Sequence, residues 1–155
     1  MNAWLQTKFP SPACPLCHYP VEDFDHLVFA CPLKIQAWQK VWRTFFVGSV
    51  DLNIDNSSLK QAIFQLQFPP PSSNSLAPSH FASLVIGFTL QSIWRAYWKL
   101  IFDAYPFSPE LVSNAVLASI HTANQESFVA KGIPHRPLPP LPIDDLTYAS
   151  QVCFF

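Results

Sequence analysis

Apolar residues recur every three to four positions in several separate stretches of the chain, and each stretch predicts a helix. From Pro32 to about Phe46, Ile35, Trp38, Trp42 and Phe45 share one face, while Gln36, Gln39, Lys40 and Arg43 lie away from it. Ser57 or Ser58 can cap a shorter helix reaching about Gln67, with Leu59, Ile63 and Leu66 as its stripe. The longest periodic segment runs from about Ser79 to Tyr105. Its run from Phe81 to Leu90 first suggests a membrane span, but Gln91, Arg95, Lys99 and Asp103 place a polar stripe along the same helix. Charges in the middle of a span are costly, so the segment reads as a long helix of a soluble domain with no membrane role.

A further helix starts at Ser108-Pro109-Glu110, which supplies a cap, a proline at the first helical position and an acid in the first turn. Val112, Ala115, Val116 and Ile120 should face inward, and Lys131-Gly132 should end the helix. Prolines punctuate the rest. Pro10, Pro12, Pro15 and Pro20 predict loop and tight turn over residues 1–22, followed by a short helical turn over 23–30. Residues 69–75, Pro-Pro-Pro-Ser-Ser-Asn-Ser, read as a spacer. The expected organisation is mostly α: a small turn-helix module carrying Cys14, Cys17, His26 and Cys31 at 1–47, a short helix and proline/serine-rich linker at 48–78, a helical hairpin at 79–132 completing a bundle, and a proline-rich tail at 133–155.

Composition narrows the function. Half of the 155 residues are hydrophobic and only 12% are charged, roughly half the usual share. The net charge of −1 lacks the basic excess of a protein that grips nucleic acid through phosphates. Three glycines leave no phosphate-cradling loop, and no nucleophile signature surrounds the Ser, His and Asp residues, so no enzyme activity is expected. The N-terminus has no basic start followed by an apolar run. That pattern predicts an intracellular, reducing environment, nuclear or cytoplasmic, in which thiols stay reduced or bind metal.

The chemistry concentrates in Cys14, Cys17, His26 and Cys31, spaced C-x2-C-x8-H-x4-C. Three cysteines and one histidine form a closed tetrahedral zinc set, with no open position for catalytic water. In the C-x2-C turn, backbone N–H groups can point at sulfur, and Pro15 suits the first corner. On a continuous helix His26 would share a face with Ala30, and Cys31 would point away. Pro32 disfavours helical dihedrals at Cys31 and breaks the helix where the geometry requires it. His18 offers a competing imidazole, but it follows Cys17 directly and would have to fold back sharply.

The stretch CPLCHYPVEDFDHLVFACPLKIQAWQKVW resembles the zinc-binding region near the C-terminus of reverse transcriptases from non-long-terminal-repeat retrotransposons. The likeness rests on the C-P-L-C turn, the acidic stretch, H-L-V-F-A-C-P and the aromatic helix bearing Trp38 and Trp42. LQSIWRAYWKLIFD loosely resembles the tryptophan-rich helix that follows in that family. The resemblance implies the same four zinc ligands. It departs at His18, where the family commonly has glycine, and it lacks the polymerase, whose paired metal-binding aspartates and far longer chain are not in this sequence. It therefore implies a detached accessory piece without polymerase activity, with weak, nonspecific nucleic-acid contact.

Such contact would come from the basic side of the 32–46 helix, at Lys34, Lys40 and Arg43 with Lys8 nearby. The rival reading is a zinc-stabilised structural or protein-interaction domain. Arg136-Pro137-Leu138-Pro139-Pro140-Leu141-Pro142 fits the R-x-x-P-x-x-P pattern of ligands for Src-homology-three domains, and the alternative is a stiff tail. Trp94 and Trp98 read as core at this spacing, with base stacking as the alternative.

Overall fold

The computed structural model describes residues 11–46, 56–67 and 82–130. Among them lie a π-helical turn at His26–Ala30 and four α-helices: α1 (Pro32–Phe45), α2 (Asn56–Phe64), α3 (Ala82–Asp103) and α4 (Pro109–Ala130). No strand occurs among the described residues, and no helix there is long and apolar enough to cross a membrane. The mostly helical fold with a Cys3His cluster near its first helix agrees with the sequence pattern. The expected spacer at 69–75, the tail motif, Lys8 and the Lys131-Gly132 stop lie outside the described residues.

α4 begins as its sequence predicts. The Ser108 hydroxyl accepts the Leu111 N–H at 3.4 Å, and the Ser108 carbonyl accepts the Val112 N–H at 3.0 Å. Two other boundaries differ from expectation. α2 starts at Asn56 and stops at Phe64, because Leu66 turns into the left-handed region at φ 55. The Gln67 N–H then bonds the Gln61 carbonyl at 3.4 Å, the wrapped ending that glycine usually supplies. α3 ends likewise at Ala104 (φ 54), with Tyr105 N–H on the Lys99 carbonyl at 3.3 Å. Leu66 is consequently exposed, and the inner positions of α2 are Leu59 and Ala62, flanked by half-buried Ile63.

α3 and α4, joined by the five residues 104–108, form an antiparallel hairpin, and α1 packs against both. One core results. Phe29, Trp38, Trp42 and Phe45 from the N-terminal third meet Leu59 of α2, Val85 and Ile93 of α3, and Val112, Val116 and Ile120 of α4. Burying each large side chain stabilises by roughly 1.5–3 kcal/mol. The expected boundary between a module at 1–47 and a hairpin at 79–132 therefore does not separate two cores. α1 cannot bury its stripe without the hairpin.

The inner line of α3 is Val85, Ile86, Thr89, Ser92, Ile93, Ala96 and Tyr97. Trp94, one position beyond Ile93, falls outside that line and is 52% exposed. Its ring packs edge-on against Trp98 at 5.3 Å, and Trp98 stacks on Phe102 at 5.2 Å. The expectation of Trp94 as core is corrected. Apart from Tyr97, the inner line is filled by small and medium side chains that let α1 and α4 approach, and the Trp94 indole lies on the flank.

Candidate metal centre

The loop from Ser11 to Glu22 is a folded knuckle. The Cys14 N–H donates to the Tyr19 carbonyl and the His18 N–H to the Cys14 carbonyl, each at 2.9 Å, while the Glu22 N–H reaches the Pro12 carbonyl at 2.7 Å. His18 closes the bend at φ 61, a conformation natural to glycine and strained for histidine. The second half begins at Asp23, whose carboxylate accepts the His26 N–H at 2.7 Å and so caps the turn.

The turn itself is wider than an α-turn. Cys31 donates its N–H to the His26 carbonyl at 3.2 Å, a five-residue span. Cys31 then adopts φ −69 and ψ 123, the extended conformation expected of a residue before proline, and Pro32 opens α1. The break at Pro32 is as the sequence predicts. The π geometry was not legible there.

These two segments bring four donors together. One donor atom each from Cys14, Cys17, His26 and Cys31 lies within 4.8 Å of all the others. The Cys14 and Cys31 sulfurs are 4.0 Å apart, and Cys17 Sγ is 3.2 Å from His26 Nε2. A tetrahedral ion with sulfur at about 2.3 Å and nitrogen at about 2.0 Å sets three sulfurs and one nitrogen roughly 3.5–3.8 Å apart. The two observed separations bracket that range, and 4.0 Å is far beyond a disulfide. All three cysteines are free thiols. His18 is exposed and is not among the gathered donors.

The surroundings suit thiolates held by a cation and disfavour thiolates without one. Burial pushes the Cys14 thiol up to about 12, against the opposing pull of the Cys17 and Leu16 N–H groups on its sulfur. Cys31 is also raised by burial, while the N–H groups of Lys34 and Leu33 and the Lys34 charge pull it down. Each buried sulfur thus receives two backbone N–H bonds, one pair from the C-x2-C bend and one from the N-terminus of α1, whose dipole favours negative charge. Fully buried thiols at this proximity, with N–H donors aimed at sulfur, fit a divalent metal that replaces their protons. The Tyr19 ring stacks on the His26 imidazole at 4.7 Å and holds its plane.

Of the basic residues expected at a nucleic-acid surface, Lys34 does not reach the surface. Lys34 is completely buried, with its ammonium 3.0 Å from Glu22. Lys40 pairs with Glu110 of α4 at 2.5 Å, and Arg43 is exposed. Lys34 is corrected from a surface contact to an interior ion pair. It lies three and four residues before Ala37 and Trp38, on the buried face of α1 that the hairpin covers.

Glu22 and Tyr97 are the residues that sequence reasoning missed. Tyr97 O–H donates to Glu22 Oε2 at 2.5 Å. Burial raises the Glu22 carboxyl, but the hydrogen bonds from Tyr97 and Lys34 and the Lys34 charge outweigh it and leave the group below 4.5. Tyr97 is raised by burial and by its bond to Glu22. A pairing across 75 residues has no local signature.

Comparison of the chain with protein-family models, with curated proteins and with solved structures finds no match in any of the three.

Proposed function

We propose that this chain is a zinc-stabilised helical module that presents surfaces to a partner and performs no chemistry of its own. The observation that carries the reading is the convergence of Cys14, Cys17, His26 and Cys31, with their donor atoms within 4.8 Å of one another. Four protein ligands close the coordination sphere, leave no position for a reactive water and favour a structural over a catalytic ion. Three sulfur donors and one imidazole favour zinc among the common divalent metals. In this reading zinc ties the knuckle at 11–22 to the start of α1, and α1 carries that constraint into the hairpin.

The resemblance to the zinc-binding region of retrotransposon reverse transcriptases supports an accessory role beside a nucleic-acid enzyme, without polymerase activity. Direct contact with nucleic acid is the weaker part of the proposal. Lys34 is buried and Lys40 is engaged by Glu110, which leaves Arg43 as the exposed member of the expected set. The burial of Lys34 favours the structural or protein-interaction reading. An intracellular setting, where thiols remain available to the metal, belongs to the same proposal.

Metal analysis of the gently purified chain tests the reading. Zinc should approach one equivalent per protein, and Cys31→Ser should lower it sharply. A chain that folds and carries no metal, or a Cys14→Ser/Cys31→Ser double variant that retains full zinc, would remove the site.

A further inference from the structure

Beside the cluster lies a closed ring of three side chains that the metal bonds do not use. Lys34 Nζ is 3.0 Å from Glu22 Oε1, the Tyr97 hydroxyl donates to Glu22 Oε2 at 2.5 Å, and Lys34 Nζ stands 4.4 Å from the centre of the Tyr97 ring. Lys34 is fully buried, Tyr97 nearly so, and the Glu22 side chain is 11% exposed. The three come from different parts of the fold: Glu22 from the loop between the second cysteine and the histidine, Lys34 from the first turn of α1, and Tyr97 from the middle of α3.

A lysine in this place calls for a reason. The first turn of a helix repels cations, and the buried face of α1 is otherwise apolar apart from this residue. One carboxylate partner does not commonly repay the desolvation of both charges, so an apolar pair would serve the core as well or better. A zinc ion with three thiolates and a neutral imidazole, by contrast, carries one net negative charge. The ring is built from the segments that carry the donors. Cys31 is the N-cap residue of the helix whose first turn holds Lys34, and Glu22 closes the knuckle around Cys14 with its N–H on the Pro12 carbonyl. With metal in place of the thiol protons, Lys34 is the buried cation nearest in the fold to an anionic cluster.

We infer that Lys34 is the charge-balancing outer partner of the metal cluster, and that Glu22 and Tyr97 hold it there and tether the cluster to α3. The inference rests on the zinc reading above and adds to it three positioning residues outside the coordination sphere. Its consequence is reciprocal: hairpin packing at Tyr97 strengthens metal binding, and metal strengthens the seat of Tyr97. Outer partners of this kind typically change metal affinity by about 10–100-fold when removed.

The test is zinc affinity of the full chain, measured by competition with a chromophoric chelator, beside the visible spectrum of the cobalt(II) form. Tyr97→Phe deletes a single oxygen, keeps the ring under Lys34, and should weaken zinc by about tenfold. The double variant Glu22→Gln/Lys34→Met removes both charges while keeping shape. If Lys34 only fills the core, the double variant and Glu22→Gln alone bind zinc within about twofold of each other. The inference expects the double variant to bind about tenfold or more weakly than Glu22→Gln, which keeps the Lys34 charge, with an unchanged cobalt spectrum reporting the same four ligands. Equal affinity in those two variants together with wild-type affinity in Tyr97→Phe overturns the role of the ring while leaving the zinc site standing. Absence of metal from the wild-type chain overturns the zinc reading itself, and this inference with it. If the double variant does not fold, Tyr97→Phe decides alone.

Discussion

The Cys31 amide donates to the His26 carbonyl at 3.2 Å, so two donors of the cluster close a five-residue turn where an α-helix would close one of four. The extra residue, together with the extended dihedrals that Pro32 imposes at Cys31, puts both side chains on the side that faces Cys14 and Cys17. Deleting Leu27, which is only half-buried, should narrow the turn to an α-turn and separate the donors. The expected outcome is a chain with substoichiometric zinc by metal analysis. Full zinc content in the deletion would show that the π turn is incidental.

The Glu22–Lys34 pair also sets a stability prediction. Glu22→Ala leaves Lys34 buried without its counter-charge and should cost about 3–5 kcal/mol in denaturant unfolding. The Glu22 carboxyl sits below 4.5 in the folded chain, so its contribution is present above that pH and is lost as pH falls through the lower folded value. The stability gap between wild type and Glu22→Gln should therefore narrow below about pH 4.5. A gap that widens in acid would contradict the assigned sign.

His18 and Ala104 occupy left-handed positions at φ 61 and φ 54. Each L side chain there costs on the order of 1 kcal/mol, and glycine escapes most of that cost. His18→Gly and Ala104→Gly should each stabilise the chain by up to about 1 kcal/mol, less the entropy glycine adds to the unfolded state. Neither should change zinc content. Thermal unfolding of both variants beside metal analysis checks this, and a loss of zinc in His18→Gly would return that imidazole to the ligand set.

Zinc removal should loosen the whole core. Sequence periodicity alone suggests that residues 10–46 would open first, because α3 and α4 have apolar stripes of their own. In the fold, Phe29, Trp38 and Phe45 share one core with Val85, Val112 and Val116. Hydrogen exchange with and without chelator should show lost protection in α1, α3 and α4 together. Loosening confined to residues 11–46 would restore the two-part division.

Nucleic-acid binding by the isolated chain should be feeble. With Lys34 inside and Lys40 on Glu110, one or two phosphates remain within reach of this helix, for a salt slope of roughly −1 to −2. Fluorescence anisotropy with single-stranded RNA and DNA should detect binding only at low salt, and Arg43→Ala should abolish it. A steeper slope would mean a basic surface elsewhere.

The sequence by itself determined the elements and the donors. Apolar spacing marked α1 and the inner line of α4, Ser108-Pro109-Glu110 marked the start of α4, and C-x2-C-x8-H-x4-C named the four residues that converge. These are local facts: a helix face, a cap and a tight turn are set by residues within a few positions of one another. Tertiary structure alone decided which arcs were covered. α1 carries polar residues on more than one side, and periodicity could not tell that Lys34 would lie under the hairpin while Arg43 stayed outside. It could not place Trp94 on a flank, since the line next to it is fixed by what α1 and α4 require. It could not join Glu22, Lys34 and Tyr97 either. A buried charge is tolerated only where distant segments supply its partners, and that condition is met in space, after the chain has folded.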